Sequence, residues 1–585
     1  MRAHPPTRTL GEYVASRFRE AASIGRACRD RLSSPGQLDA RAAEFRCAFE
    51  EAVGKAPAID KVPSSKPISS WKTGEIEVHN LLIGAREGDP IPANFLVPSE
   101  VQRAPAVLFL CGHARDGRLD ETYRTRCLEL AAAGFVVLTF DPPDQGERVW
   151  LGDDENHFAC GESIEAHARL GIQCLQRGDH LLRYFLHGAA SALCWLRAQP
   201  EVNADKVAVV GNSGGGMLSL VMGALDPSIA AVVPATFPCS FRAIQASGEP
   251  QDSEQIWPGL VGLGYEHADL ANAICPRPLC ILAAARDFFP IEGTRELIQE
   301  TRRFYEVRDA TANFAYYEED CGHSFSCLMM QSAIGFLRKT FGAVAEAPVP
   351  PDPGVDMWKT GDQTRRNPVA LLSFPTRPVA SPSPCDELFC ASIQCFTAQS
   401  ILGCSCVSIE WTTNLGLRNS ALRIEGSGST GRVVVLCEGG GSVFASLGSK
   451  AEEILRSYNQ IWIPSLSGHA EFTPPDTHPA FPADGFFNAL HKTCEDLSML
   501  GGEILDLRLQ ELAILGRIVA DAEPVNLLGL GDWEILVKEA CILFPQFWKA
   551  CAEFSSSQLP AHPATARQWL RATRFISQHH HPVHS

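Results

Sequence analysis

Between residues 75 and 341 the chain alternates short, almost wholly apolar runs with longer stretches of helical periodicity. Val107–Leu110, Phe135–Phe140, Val207–Val210 and Leu279–Ala284 carry hardly a polar side chain, which is how strands buried on both faces read. Candidate strands fall at 75–82, 91–97, 106–111, 135–140, 206–210, 230–235, 279–285 and 313–318. Helical patterns lie between them, at 119–133, 180–198, 214–225, 293–307 and 325–340. That order predicts an α/β fold, a mostly parallel sheet covered by helices.

The flanks read differently. Residues 8–54 predict two helices. Thr9 and Glu12 have the spacing of a capping box, with Leu10, Val14 and Phe18 on one face. Ser34 and Pro35 open the second helix, whose apolar face is Leu38, Phe45 and Phe49. Residues 343–384 hold nine prolines and read as a linker. From about 385 the α/β pattern resumes and echoes the first half. VVLC at 434–437 answers LFLC at 108–111, SLSGHAE at 465–471 answers DPPDQGE at 141–147, and VNLLGLGDW at 525–533 answers VAVVGNSGG at 207–215. Three anchors at a nearly constant offset of about 320 residues suggest an internal duplication. The expected organisation is a helical appendage (1–60), a catalytic domain (61–342), a linker (343–384) and a truncated, non-catalytic copy (385–585).

Composition narrows the function classes. The net charge is −17 with no basic stretch, so a nucleic-acid footprint is missing and anionic membranes gain no attraction. No apolar run reaches the length of about 18 residues that a membrane helix needs, and residues 1–32 lack the pattern of an export signal. A cytoplasmic location follows as an expectation, consistent with 21 cysteines, an odd number. Cys385, Cys390, Cys395, Cys404 and Cys406 match no familiar zinc spacing and read as buried small hydrophobes. The terminal His579, His580, His581 and His584 read as a solvated tail.

The chemistry concentrates in VAVVGNSGGGMLSLVMGAL. An apolar strand runs into Gly211-Asn212-Ser213-Gly214-Gly215 and then into a helix, the context of a G-x-S-x-G nucleophile elbow. Ser213 is the expected nucleophile, and the Gly214 N–H, at a helix start, an expected oxyanion donor. Two later strands end beside the remaining partners in the chain order of this fold. Asp287 follows 279–285, and His323 follows 313–318. His323 would act as base and Asp287 would orient it, with Asp320 a weaker candidate acid. The second oxyanion donor is expected from the loop Cys111–Gly117, at the His113 N–H. No ligand set neighbours His113 in the sequence, so no metal site and no cofactor are expected.

LFLCGH, VVLTFDPPDQGER, PEVNADKVAVVGNSGGG, AARDFFPIEGT and EDCGHSF together resemble the esterase branch of the α/β-hydrolase superfamily. The nearest likeness is to acetyl xylan esterase/cephalosporin deacetylase-like and dienelactone-hydrolase-like enzymes. The resemblance covers about residues 75–341. It implies a serine esterase acting through Ser213, Asp287 and His323, with Cys111–His113 as oxyanion loop. Two departures stand out. The common His-Gly opening of that loop is Cys111-Gly112, and no Arg follows Ser213 as it does in glucuronoyl esterases. In the second half Gly531 stands where the elbow serine should be, and only about fifty residues follow. The expected reaction is hydrolysis of a carboxylic ester through an acyl-enzyme, the substrate a small molecule or carbohydrate ester such as an acetylated sugar or polyol. A prolyl-oligopeptidase-like peptidase is the first alternative, although no propeller-like repeat precedes the domain. A non-enzymatic scaffold retaining the fold is the second. The sequence carries no sign of oligomeric state.

Overall fold

The computed structural model describes residues 9–99, 101–151, 163–176, 179–342, 347–362, 364, 366, 390–397, 402–437, 444, 447–466, 489–500, 504–520, 523–530 and 533–550. Contacts divide the chain into two compact units. One comprises Ala21–Cys174 and Asp179–Arg377; the other comprises Met1–Glu20, Leu175–Gly178 and Pro378–Ser585.

The first unit is built on nine strands: β1 (Ser64–Thr73), β2 (Ile76–Arg86), β3 (Asp89–Pro98), β4 (Ala104–Leu110), β5 (Val136–Phe140), β6 (Val202–Asn212), β7 (Ala231–Ala235), β8 (Leu279–Ala284) and β9 (Phe314–Glu319). They lie in the order β1-β2-β3-β5-β4-β6-β7-β8-β9. The first three run antiparallel, β3 meets β5 antiparallel, and β5 through β9 are all parallel. This is the α/β-hydrolase arrangement that the alternating pattern predicts. Every residue of β5 and of β8 is buried, which is why those runs contain almost no polar side chain. β1 escaped the pattern because it lies at the sheet edge and buries only Trp71 among SSKPISSWKT. The chain leaves β4 for β5 on one side and returns to β6 on the other. The strand order thus reverses at β4, and the crevice at the carboxyl ends of β4 and β6 is where ligands bind in open α/β sheets.

Helix Pro35–Val53 belongs to this unit and is capped as its sequence implies, with Ser34 Oγ accepting from the Gln37 N–H. Arg29 and Arg41 ion-pair with the buried Asp269, and Arg29 also pairs with Glu300. The helix Leu10–Asp30 opens with the Thr9–Glu12 capping box: Thr9 N–H donates to Glu12 Oε2 (2.8 Å) and Glu12 N–H to Thr9 Oγ1 (3.2 Å).

The second unit holds seven strands: β10 (Cys390–Thr397), β11 (Cys406–Thr413), β12 (Arg418–Glu425), β13 (Thr430–Leu436), β14 (Tyr458–Ser465), β15 (Val525–Gly529) and β16 (Trp548–Ala550). Their order is β10-β11-β12-β14-β13-β15-β16. Pairings are antiparallel as far as β12–β14 and parallel beyond. Strand for strand, this repeats β1 through β7 of the first sheet in order and in sense. The sequence anchors fall on corresponding strands. VVLC begins on β13, the counterpart of β4; SLSGHAE starts at the end of β14, the counterpart of β5; VNLLG is β15, the counterpart of β6. Among the described residues nothing corresponds to β8 and β9. The core of this unit includes Leu10 and Val14 beside Trp411, Leu436, Leu512 and Trp533. Cys406 is buried, whereas Cys390 and Cys395 are exposed on β10 and Cys404 is half-buried, so among the described members of that group the reading as buried hydrophobes holds for Cys406 alone. Cys385, Gly531, Asp532 and the terminal histidines lie outside the described residues.

Candidate active site

β6 delivers Ser213 into a backbone conformation of φ 53° and ψ −119°, immediately before the helix Gly214–Leu225. A non-glycine residue there stores strain of about 1–3 kcal/mol, held only by its surroundings. The hold is visible: the Ser213 N–H donates to Ala235 O on β7 (2.9 Å), and Ser213 O accepts from the Met217 N–H of the helix (2.9 Å). Close backbone approach explains the following glycines. A Cβ on Gly215 would stand 2.0 Å from Leu110 O, and one on Gly214 would stand 2.6 Å from His113 Cε1. Gly215→Ala is therefore expected to destabilise the protein by on the order of 3 kcal/mol, since the obstruction is backbone of a central strand. Urea denaturation checks this, and an unchanged midpoint would refute the packing assignment.

The loop after β4 lies against the elbow, so that a Cβ on Gly112 would come 3.0 Å from Ser213 Cβ. Its conformation is fixed by two residues that the sequence did not single out. The Gly112 N–H donates to Tyr123 Oη (3.0 Å), and Gln145 Nε2 donates to both Gly112 O (2.8 Å) and Ala114 O (2.9 Å). The Gly112 N–H is thus engaged by tyrosine, and the next amide along the loop is that of His113. Gln145 belongs to the DPPDQGER segment, whose other members build a buried ionic frame. Asp141 pairs with Arg118, Arg118 with Glu147 (2.5 Å), and Arg148 with Asp89, which also receives Arg366 (3.0 Å). Burial raises the Asp141 carboxyl to about 6 despite the Arg118 charge.

Asp287 and His323 leave the adjacent parallel strands β8 and β9. Past the strand ends the two loops stay joined, Ala285 N–H to Glu319 O (2.8 Å) and Arg286 N–H to Cys321 O (2.9 Å). His323 Nδ1 lies 2.8 Å from Asp287 Oδ1. The Asp287 side chain is 3% exposed and that of His323 25% exposed. Asp320 faces away: its side chain is 83% exposed and pairs with Arg286 (3.0 Å). Asp287 and His323 are thus brought into contact, while Ser213 and His323 form no hydrogen bond among the described residues. The exposed Phe288 ring lies 4.3 Å from the His323 ring, an aromatic face beside the imidazole.

At His113 the structure departs from expectation. His113 Nε2 is 2.9 Å from His167 Nδ1 and 2.8 Å from Glu254 Oε1, and His113 Nδ1 is 3.4 Å from Asp252 Oδ2. His167 comes from the helix Ser163–Gln176, and Glu254 from the short 3-10 turn Ser253–Gln255. No signal in the sequence could have joined them, because they stand 54 and 141 residues from His113. The sequence around His113 supplies no neighbouring ligands, whereas the fold brings His167 and Glu254 to its ring. Burial works against charge on His113, but Asp252 and Glu254 prevail and raise its pKa to about 9. Burial likewise opposes ionisation of Glu254, yet His167 and His113 hold it below the ordinary carboxylate range.

Parts of the chain are similar to known proteins. Residues 42–254 match the family Acetyl xylan esterase (AXE1), a span that includes the β4 loop and Ser213 and stops short of Asp287 and His323. YtaP of Bacillus subtilis (strain 168), which carries a hydrolase name, is 22% identical over 303 residues, covering 48% of this chain and 95% of that protein. Among solved structures, Methylesterase BT1017 aligns with a TM-score of 0.46 at 16% identity, over 64% of this chain and 78% of its own. The glucuronoyl esterase from Solibacter usitatus aligns with a TM-score of 0.41 at 15% identity, over 53% and 95%. No helix among the described residues is long and apolar enough to cross a membrane. The strand order of the first sheet is that of the α/β-hydrolase fold, and over residues 42–254 the chain is similar to the Acetyl xylan esterase (AXE1) family.

Proposed function

We propose that the protein is a serine esterase that cleaves acetyl or similarly short esters of a sugar or small polyol, with Ser213 as nucleophile, His323 as general base and Asp287 as its orienting acid. The observation that carries this reading is the 2.8 Å His323–Asp287 contact on the loops after β8 and β9, together with Ser213 in the strained turn after β6. His323 Nε2 takes the Ser213 proton as Oγ attacks the ester carbonyl, and the imidazolium returns it to the departing alcohol. Water then enters by the same route and splits the acyl-enzyme. The amides of Gly214 and His113 receive the negative charge of the tetrahedral intermediate, the first assisted by its position at a helix start. A Ser213–His323 hydrogen bond has to close for this, and such bonds commonly tighten only in the complex with substrate. The acetyl ester and carbohydrate parts of the proposal rest on the family match and on the exposed Phe288 face, against which a sugar ring can stack.

A fluorophosphonate reagent tests the nucleophile: Oγ displaces fluoride from phosphorus, and the tagged peptide should contain Ser213. A panel of p-nitrophenyl esters, with acetylated xylo-oligosaccharide beside it, tests the substrate. Acetyl should be the fastest acyl group, with acetate released from the oligosaccharide. Absence of labelling and of turnover on every ester would overturn the proposal.

We further propose that residues 385–585 form a truncated, non-catalytic copy of the hydrolase fold. The repeated strand order supports this. The counterparts of β8 and β9, which would carry an acid and a base, are missing among the described residues. Restoring a serine with Gly531→Ser in a Ser213→Ala background should therefore yield no hydrolysis above that of Ser213→Ala alone, measured on the best p-nitrophenyl ester.

A further inference from the structure

We infer that His113, His167 and Glu254 form a binding site for one divalent transition-metal ion of the zinc class, which ties the loop after β4 to the helix Ser163–Gln176 and to the turn at Glu254. The three donor atoms, His113 Nε2, His167 Nδ1 and Glu254 Oε1, lie within 4.8 Å of one another. Their separations are 2.8, 2.9 and 3.7 Å. Donors bound at about 2.0–2.1 Å around a tetrahedral ion stand roughly 3.4 Å apart, so small shifts of side chains already converging would admit one. Two imidazoles and a carboxylate are the donor set that favours zinc over magnesium or calcium, and they leave a fourth position for water.

The surroundings of the donors argue the same way. An imidazole that ligates metal through one nitrogen commonly gives its other N–H to a carbonyl or carboxylate. His167 Nε2 is 2.8 Å from Pro143 O, which fixes its proton there and leaves the Nδ1 lone pair facing the cluster. His113 Nδ1 faces Asp252 Oδ2, which leaves Nε2 as the inward atom. Glu254 is fully buried, and its second oxygen, Oε2, has no hydrogen-bond partner among the described residues. A buried carboxylate needs compensating charge. The two inward nitrogens, 2.9 Å apart, can hold only one hydrogen between them. One positive charge then faces two carboxylates, Glu254 and Asp252. A divalent ion in place of that hydrogen makes the cluster neutral. This site shares His113, whose ring lies against Gly214 beside Ser213, with the proposed oxyanion loop, but its three donor atoms belong to none of the residues proposed for the triad, and its assignment does not depend on the nucleophile.

Metal analysis of the full-length protein tests this inference. The terminal histidines could also bind zinc, so the protein is prepared with His579, His580, His581 and His584 changed to Gln. After chelator treatment and exposure to zinc chloride, with the excess removed, this protein should retain about one equivalent per chain. His167→Gln and Glu254→Gln, made in it, should each reduce retention at least tenfold. If either variant fails to fold by circular dichroism, the unsubstituted site supplies the second measurement. Loaded with cobalt(II), it should give visible ligand-field bands and two shifted, exchangeable imidazole N–H signals in its proton spectrum, one from each histidine. Retention below a tenth of an equivalent, retention unaffected by His167→Gln, or a cobalt spectrum without those N–H signals would each overturn the inference. The contacts at His113 would then be hydrogen bonds around a single shared proton.

Discussion

Ser213→Ala should lower ester hydrolysis by about 10⁴-fold or more while the protein stays folded. The expected loss is large because, in the proposed mechanism, the serine oxygen is the atom that forms the covalent intermediate. The residual rate should come from the amides of Gly214 and His113 and from substrate binding alone. The effect on stability should be small. The substitution removes one hydroxyl at a turn and leaves the Ser213 N–H bond to Ala235 O and the Met217 bond to Ser213 O in place. Alanine also meets the same positive φ as serine, so the strain is unchanged. A shift within about 1 kcal/mol is expected from denaturation. Fluorophosphonate labelling should vanish with activity. A folded Ser213→Ala protein with near wild-type turnover would move the nucleophile elsewhere.

The sheet and the places of Ser213, Asp287 and His323 just past strand ends were legible in the sequence for a common reason. Central strands buried on both faces leave nearly pure apolar runs, and the chemistry of this fold begins where such a run stops. Ser213 follows Val207–Val210 by a few residues, and Asp287 and His323 follow their strands in the same way. Burial by itself wrote those positions into the chain. β1 left no such mark, because an edge strand exposing Ser64 through Ser70 has no apolar period to read.

What supports the loop after β4 was hidden for a different reason. Tyr123 falls within the helical pattern at 119–133 and Gln145 within the DPPDQGER segment, and neither position marks the group its side chain reaches. Their roles depend on which carbonyl or amide they reach after folding. DPPDQGER could be recognised as a motif, but its ionic partners, Arg118, Asp89 and Arg366, come from separate segments. His167 lies in the stretch between β5 and β6 that carries no readable motif. The duplication occupies a middle position. Its anchors were visible as short echoes, and only the strand order gives them the same places in two sheets. Spacing along the chain thus found residues placed by strands and missed residues placed by contacts between segments.

Asp287→Asn should reduce kcat/KM by about 10⁴-fold, whereas Asp320→Asn should change it by less than about threefold. The contrast follows from the two environments. The Asp287 carboxylate is nearly inaccessible and accepts from His323 at 2.8 Å. In the proposed mechanism the proton of neutral His323 sits on Nδ1, and Nε2 takes the proton of Ser213. An asparagine amide can instead donate to Nδ1, which puts the ring proton on Nε2, where it blocks the base. The carboxylate is lost as well, so the imidazolium formed during attack has no counter-charge. Asp320 has neither role. It is exposed on the surface and pairs with Arg286, and exposed ion pairs contribute little. Steady-state kinetics of both variants on the same p-nitrophenyl ester give the ranking directly. Fluorophosphonate labelling of Asp287→Asn should slow by a similar factor and still end on Ser213, since the serine is intact and only its activation is impaired. A larger loss from Asp320→Asn than from Asp287→Asn would transfer the orienting role to the surface carboxylate and leave the buried one a packing residue.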